Sequence, residues 1–288
     1  MVWLQFILSA GLVVFAAIKL AEYGDVIAVR TGLSGMFIGT LFMAGATSLP
    51  ELLSALNALA IASPNLAAGS MLGSNMFNMF MLAVLDLVGQ NARVLRAVAM
   101  RHALTASLAI LLIGMVVFFI LADFGGGVVW MGFDSLLIIL AYVAGVRLIQ
   151  NQVGAPRAET VPEDAHVPSL RRATLGFGLA TLLLVVVTPY LVRSADQIGV
   201  ATGLSAGFVG ATLLAIVTSL PELVATIAAL RIGAFDLAVG NLFGSNLFNM
   251  FALGLTDVLY LRGRFIAEID PNFATIGLLG LILTCLGL

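Results

Sequence analysis

Charged residues are scarce in this chain. Only 10% of its 288 residues are charged and 61% are hydrophobic, whereas soluble domains carry about 25% charged residues. The net charge of −2 excludes an extended basic surface for nucleic-acid phosphates. A mean hydropathy of +1.13 predicts an all-α polytopic membrane protein with the lipid bilayer as its partner, because about 20 apolar helical residues cross a bilayer.

Cysteine and histidine are nearly absent. Cys285 is the only cysteine and there are two histidines, which excludes an internal disulfide and a Cys/His metal cluster. The sequence also contains neither an HExxH motif nor a glycine-rich phosphate loop. We therefore expect no enzyme activity, no cofactor and no obligate protein partner.

Apolar runs of spanning length occupy most of the chain. They lie at residues 3–21, 34–63, 66–88, 103–122, 128–148, 174–192, 207–232, 237–260 and 273–288. Residues 150–172 are polar and contain three prolines, which is typical of a solvated connector. We predict a first half at 1–149 with helices one to five, a connector at 150–172 and a second half at 173–288 with helices six to nine.

Two motifs occur twice, 171 residues apart. TSLPEL at 47–52 recurs at 218–223, and GSNMFNMF at 73–80 recurs as GSNLFNMF at 244–251. Five spans precede the connector, and an odd number places the second copy upside down in the membrane, as in the inverted repeats of many secondary transporters. A counterpart of the fifth span would fall beyond residue 288, so we expect the second copy to lack its last helix and the chain to have nine spans.

The basic residues predict the orientation. One side of the predicted topology receives Lys19, Arg30, Arg93, Arg96, Arg101, Arg147, Arg157, Arg171, Arg172 and Arg231. The other side receives only Arg193, Arg262 and Arg264. Because cytoplasmic loops carry an excess of Lys and Arg, we expect the N-terminus outside and the 150–172 connector in the cytoplasm.

Two carboxylates, Glu51 and Glu222, fall in the middle of predicted spans. A charged side chain at the centre of a membrane helix costs about 2.5–3.5 kcal/mol on insertion scales, and a bound cation offsets that cost. The alternative is an internal ion pair or a protonated acid hydrogen-bonded to a neighbour. No basic residue is predicted at bilayer depth to pair with either glutamate, which favours the cation.

Each glutamate follows a proline. Pro50 and Pro221 lack an N–H and strain the preceding turn, so we expect each helix to break at the Thr-Ser-Leu before the proline. An irregular backbone at membrane depth is tolerated where it is buried or lines a cavity, and there it offers carbonyl and hydroxyl oxygens. The half-helix after the proline presents its positive N-terminal end near the glutamate.

The second motif adds further oxygens. Ser74 and Asn78 are four residues apart on one helix face, as are Ser245 and Asn249. Hydroxyl, amide, carbonyl and carboxylate oxygens are the ligands that hard cations such as Na⁺ and Ca²⁺ prefer. The alternative for these pairs is hydrogen bonding between helices.

Other features of the repeat are interpreted as structural. Two GxxxG motifs, at 69–73 and 240–244, predict close packing of the third and eighth helices against the broken ones. Asp86 and Asp257 are expected at the membrane interface near helix ends. Asp25 and Asp196 are expected in loops before the broken helices.

The duplicated motifs resemble the sodium/calcium exchangers of the cation/calcium exchanger superfamily. The resemblance is to a prokaryotic-type member, and it implies a location in the inner (plasma) membrane. Residues 45–80 and 216–251 resemble that family's two alpha repeats. The resemblance implies that Glu51 and Glu222 ligate Ca²⁺ with the carbonyls of two threonines, and that Na⁺ uses serines and alanine carbonyls, while two asparagines complete the centre. The implied further ligands are Thr47, Thr218, Ser48, Ser219, Ser74, Ser245, Asn78, Asn249, Ala44 and Ala215.

The function that the resemblance implies is exchange of Ca²⁺ for Na⁺ by alternating access, in which the first and sixth helices slide past the rest. Asn249 stands where potassium-dependent members carry an acid, which argues against potassium dependence. An H⁺/Ca²⁺ antiporter on the same fold is the nearest alternative. Two further alternatives are a passive cation channel and a membrane enzyme or accessory protein.

Overall fold

The chain is almost wholly helical in a computed structural model that describes residues 1–31, 44–88, 102–122, 125–128, 130–153, 168–231 and 235–288. The first-half helices are α1 (Val2–Thr31), α2 (Ala44–Thr47), α3 (Leu49–Ala60), α4 (Pro64–Val88), α5 (Ala103–Ala122) and α6 (Phe133–Val153). The second-half helices are α7 (Leu170–Thr202), α8 (Ala206–Val209), α9 (Ala215–Thr218), α10 (Leu220–Arg231), α11 (Phe235–Leu259) and α12 (Phe273–Leu286). A π-helical turn, Gly210–Leu214, joins α8 to α9, and a short 3₁₀ helix, Ile266–Glu268, precedes α12.

Six helical stretches among the described residues are long and apolar enough to cross a membrane. They are Val2–Gly24, Pro64–Leu87, Ala103–Ala122, Leu170–Thr202, Ala206–Arg231 and Phe235–Leu259. Large apolar side chains on their outer faces are exposed, among them Leu4, Leu111 and Leu179, as expected of helices that face lipid. The protein is an integral membrane protein. The predicted count of nine spans stays a prediction, and the first part of the second run, 34–43, lies outside the described residues.

Two local predictions were wrong. The run expected to span from residue 128 becomes helical only at Phe133, because Gly127–Val128 and Met131–Gly132 pair as a two-residue antiparallel hairpin. Asp25 and Asp196 do not lie in loops, because α1 and α7 continue through them. Long helices keep the backbone of both positions hydrogen-bonded internally.

The longest helices, α1 and α7, pack against each other along their length. They also occupy matching positions in the two sequence repeats. Ser169 begins α7 by accepting a hydrogen bond from the backbone N–H of Arg172, and Gly203 ends the helix in the left-handed conformation at φ 73°. Such conformations favour glycine because it has no Cβ.

The centre of the molecule is built on α4 and α11, the helices that carry the GSN motifs. They contact each other, and α3 and α10 pack beside them. A Cβ added at Gly69 would lie 2.6 Å from the carbonyl oxygen of Gly207, and one at Gly73 would lie 2.6 Å from that of Ala211. The predicted close approach of the first GxxxG motif to the opposite broken helix is therefore confirmed.

Asp257 lies near the end of α11, as expected, and it is fully buried. Its carboxylate accepts hydrogen bonds from the backbone N–H groups of Gly132 (2.9 Å) and Phe265. Nearby, the buried Asp134 pairs with Arg264 at 2.9 Å. A buried carboxylate needs hydrogen-bond donors, and here the donors come from the 127–132 hairpin and from the segment after α11. The contacts therefore connect these two segments. Asp86 is exposed near the end of α4, and its interfacial position stays a prediction.

Candidate ion-binding site

Both TSLPE segments interrupt their helices at the serine. The helix α2 ends at Thr47 and α3 begins at Leu49, while α9 ends at Thr218 and α10 begins at Leu220. The predicted breaks are therefore confirmed. Each break is shallow, because Ser48 N–H still donates to the carbonyl of Ala44 at 2.9 Å, and Ser219 N–H donates to that of Ala215 at 3.0 Å.

The two glutamates are fully buried and are held by serines of the opposite repeat. Ser48 Oγ donates to Glu222 Oε1 at 2.9 Å, and Ser219 Oγ donates to Glu51 Oε1 at 3.2 Å. Hydrogen bonds to an ionised carboxylate are stronger than neutral ones. These reciprocal bonds bring the two broken helices together at one place.

The serines of the GSN motifs approach the same carboxylate atoms from within their own halves. Ser74 Oγ lies 3.5 Å from Glu51 Oε1, and Ser245 Oγ lies 3.3 Å from Glu222 Oε1. Ser74 Oγ also lies 3.5 Å from the carbonyl oxygen of Ala215 and from Thr218 Oγ1. A cluster of hydroxyl, carbonyl and carboxylate oxygens from both halves therefore surrounds each glutamate.

The second oxygen of each carboxylate has no hydrogen-bond partner in the described part of the chain. Glu51 Oε2 and Glu222 Oε2 are both buried and unpaired, and neither glutamate pairs with a cationic side chain of the described residues. A buried carboxylate oxygen without a donor is costly. A cation that binds these two atoms removes that cost, and the oxygen chemistry fits Na⁺ or Ca²⁺.

Four asparagines connect α4 to α11 beside this cluster. Asn78 Nδ2 donates to Asn246 Oδ1 and Asn249 Nδ2 donates to Asn75 Oδ1, each at 3.0 Å. Asn75 and Asn246 also donate to each other's backbone carbonyls at 3.4 Å. The side-chain oxygens of Asn78 and Asn249 remain buried and unpartnered among the described residues, so they are available to an ion.

The structure brings most of the predicted site residues together, and all twelve are buried. Thr47 Oγ1 is turned to its own helix, where it contacts the carbonyl of Ala44 at 3.2 Å. Sequence reasoning missed the role of Asn75 and Asn246. Their presence in both GSN triplets was a signal, but the sequence alone does not show that they bond across the helix crossing.

Buried carboxylates without a cationic partner, set in a bundle of apolar helices, are typical of membrane ion transporters. The sequence model of a protein family described as "sodium/calcium exchanger protein" matches residues 1–149 and 172–288 of this chain. The chain belongs to the sodium/calcium exchanger protein family, a family of transporters rather than enzymes.

The chain is also similar in sequence to one curated protein and in fold to two solved structures. The inner membrane protein YrbG of Escherichia coli is 31% identical over 265 residues, which cover 90% of this chain and 79% of YrbG. The sodium-calcium exchanger NCX_Mj has a similar fold, with a TM-score of 0.60 at 22% identity over 100% of this chain and 91% of its own. The H⁺/Ca²⁺ exchanger CAX matches with a TM-score of 0.71 at 15% identity over 97% of this chain and 73% of its own.

Proposed function

We propose that this protein is a secondary active antiporter that exchanges Ca²⁺ for Na⁺ across the membrane by alternating access. The observation that carries the proposal is the pair of reciprocal bonds from Ser48 to Glu222 and from Ser219 to Glu51. Each bond joins one broken helix to the carboxylate of the other. One ion bound between the glutamates therefore contacts both halves of the chain.

The charges limit what the site holds. Glu51 and Glu222 are neutralised by one Ca²⁺ or by two Na⁺, so the two cargoes exclude each other electrostatically. Competition of the two ions for one shared site is consistent with exchange of one for the other. A third Na⁺ would leave the loaded site with a net positive charge and make the exchange electrogenic.

The proposed ligands are those that the family resemblance implies, and the burial of all twelve residues supports them. For Ca²⁺ they are the carboxylates of Glu51 and Glu222 with the carbonyls of Thr47 and Thr218. For Na⁺ the hydroxyls of four serines and two alanine carbonyls join the carboxylates. These Na⁺ ligands are Ser48, Ser219, Ser74, Ser245, Ala44 and Ala215. The free amide oxygens of Asn78 and Asn249 complete the centre.

We propose that the halves 1–149 and 173–288 are inverted repeats with nine spans in this chain. In this arrangement α1 and α7 slide past the central helices and expose the site to one side at a time. The extensive contact of α1 with α7 supports their movement as one unit. We also propose that the protein lies in an inner membrane with its N-terminus outside and the 150–172 connector in the cytoplasm. Residues 154–167 of this connector lie outside the described residues.

Transport of ⁴⁵Ca²⁺ into proteoliposomes tests the coupling ion. We expect uptake when the vesicles contain Na⁺ and the external buffer does not, and no uptake when Na⁺ is equal on both sides. A Glu51→Gln variant prepared in the same way serves as the control for leak. Uptake that is independent of both Na⁺ and pH gradients would show a passive channel instead.

An H⁺/Ca²⁺ antiporter is the second candidate. Its support is the fold similarity to CAX together with the Oε2 atoms of Glu51 and Glu222, which are unpartnered among the described residues. Each of these atoms can accept a proton instead of binding a cation. Uptake of ⁴⁵Ca²⁺ driven by a pH gradient in the complete absence of Na⁺ would favour this candidate over Na⁺ coupling.

A further inference from the structure

Two buried serines next to the central site have no hydrogen-bond partner among the described residues. Ser54 on α3 and Ser70 on α4 are both fully buried, and both hydroxyl oxygens are unpartnered. Burial of an unbonded hydroxyl is costly, and neither residue is one of the ligands proposed above.

Several other buried hydroxyls on the helices of this chain bond to their own helix, although the buried Ser135 on α6 also has no partner among the described residues. Thr188 donates to the carbonyl of Leu184 at 2.7 Å, and Thr256 and Thr284 make the same bond to the carbonyl four residues earlier at 2.6 and 2.7 Å. This local bond is the ordinary solution for a serine or threonine in a membrane helix. Neither Ser54 nor Ser70 makes this bond or any other with the described residues, so both hydroxyls can take another partner.

The two serines lie at one level, a helical turn away from the central site. Ser54 follows Glu51 by three residues, and Ser70 precedes Ser74 by four. The helices α3 and α4 run antiparallel, joined by residues 61–63, and Ser74 Oγ lies 3.5 Å from Glu51 Oε1. With a rise of about 1.5 Å per residue, Ser54 and Ser70 are displaced along their helix axes by about 5 Å from Glu51 and Ser74, toward the 61–63 turn.

The second repeat is built differently at this level. Ala225 stands where the first repeat has Ser54, and Asn241 stands where it has Ser70. Asn241 Nδ2 lies 3.4 Å from Thr226 Oγ1 and 3.5 Å from the carbonyl of Glu222. The amide nitrogen of Asn241 therefore has acceptors within its own half, while its Oδ1 is unpartnered among the described residues. The hydroxyls of Ser54 and Ser70 have no partner in the described part of either half.

We propose that Ser54 and Ser70 form a transit site, where a cation that still carries part of its water pauses between the central site and the membrane face at residues 61–63. The inference rests on the proposed function of the central site. Two neutral hydroxyls bind a cation weakly, and weak, closely spaced sites allow an ion to enter and leave quickly. A carboxylate at this level would instead retain the ion.

Cysteine labelling tests the path without requiring transport. Ser54→Cys and Ser70→Cys are made in a Cys285→Ala background, which removes the only native thiol. A small membrane-impermeant cationic methanethiosulfonate is added to one side at a time. Ser9→Cys is the matched control, because Ser9 is also buried but donates to the carbonyl of Gln5 at 2.7 Å.

We expect both site cysteines to be modified from one side of the membrane only, with modification slowed by Ca²⁺, while the control cysteine stays unmodified. Modification of the site cysteines no faster than the control, or at the same rate with and without Ca²⁺, would overturn the transit site. Neither result depends on whether Na⁺ or H⁺ drives transport.

The double variant Ser54→Ala/Ser70→Ala separates transit from binding. We expect equilibrium ⁴⁵Ca²⁺ affinity within about twofold of the wild type and an exchange rate lower by roughly fivefold, because a step of the path loses its oxygens. An unchanged rate, or an affinity that falls as much as the rate, would contradict the proposal while leaving the central site intact. Absence of any coupled exchange by the wild-type protein would contradict the proposed function instead.

Discussion

Ser48 Oγ donates to Glu222 Oε1 at 2.9 Å, and Ser219 Oγ donates to Glu51 Oε1 at 3.2 Å. In each bond a break in one repeat supplies the donor and the carboxylate of the other repeat accepts it. The geometry of one half of the site therefore depends on the position of the other half. A shift of either broken helix changes the ligands of both glutamates.

The carboxylates are the first target for mutation. Glu51→Gln or Glu222→Gln removes one of the two charges available to a cation, so we expect at least about a tenfold loss of ⁴⁵Ca²⁺ affinity, equivalent to 1.4 kcal/mol, and loss of exchange. Glu22→Gln is the matched control, because Glu22 is exposed and pairs with Lys19 on α1. Robust exchange by either site variant would contradict the two-carboxylate site.

The reciprocal serines predict coupling between the repeats. Ser48→Ala and Ser219→Ala each remove a hydrogen bond to a buried carboxylate, which contributes about 1.5–3 kcal/mol. We expect each variant to raise the Na⁺ concentration for half-maximal exchange, and the double variant to depart from additivity. Thr188→Val deletes a buried hydroxyl on α7 away from the glutamates and controls for packing. Additive effects would mean that the two bonds act independently.

The asparagine network predicts a stability effect. Asn75→Ala leaves Asn249 Nδ2 without its acceptor, and a buried unsatisfied donor costs about 1–3 kcal/mol. We expect a lower midpoint of thermal unfolding for the purified protein. Asn57→Ala is the comparison, since Asn57 is only partly buried and donates to the carbonyl of Leu53 on its own helix. Equal midpoints for the two variants would argue against a clamp between α4 and α11.

The close approach at Gly73 predicts a steric effect. A Cβ there would lie 2.6 Å from Ala211 O and 2.7 Å from Ala211 Cα, both backbone atoms that cannot rotate away. We expect Gly73→Ala to push α4 from the opposite broken helix and to reduce both Ca²⁺ binding and thermal stability. Gly178→Ala on α7 meets nothing within 4 Å and should be neutral or slightly stabilising, by up to about 1 kcal/mol from helix propensity. Wild-type binding by Gly73→Ala would show that the contact is not needed.

Much of the site could be predicted because the chain repeats it. The prolines of both TSLPE segments predicted helix breaks, and the structure has them at Ser48 and Ser219. The burial of Asp257 could not be predicted in the same way. Its donors are backbone N–H groups of Gly132 and Phe265, and every residue type except proline can supply a backbone N–H, so no motif marks the contact.

By itself the sequence determined a helical membrane protein with two equivalent kinks and a glutamate at each, because composition, proline chemistry and repetition are properties of the chain alone. Only the tertiary structure decided that Ser48 and Ser219 each bond to the glutamate of the other repeat and that Asn75 and Asn246 join α4 to α11. It also decided that Ser54 and Ser70 have no partner within the described ranges. These contacts depend on how separate helices cross, and helix crossing is set by side-chain packing between segments far apart in the chain.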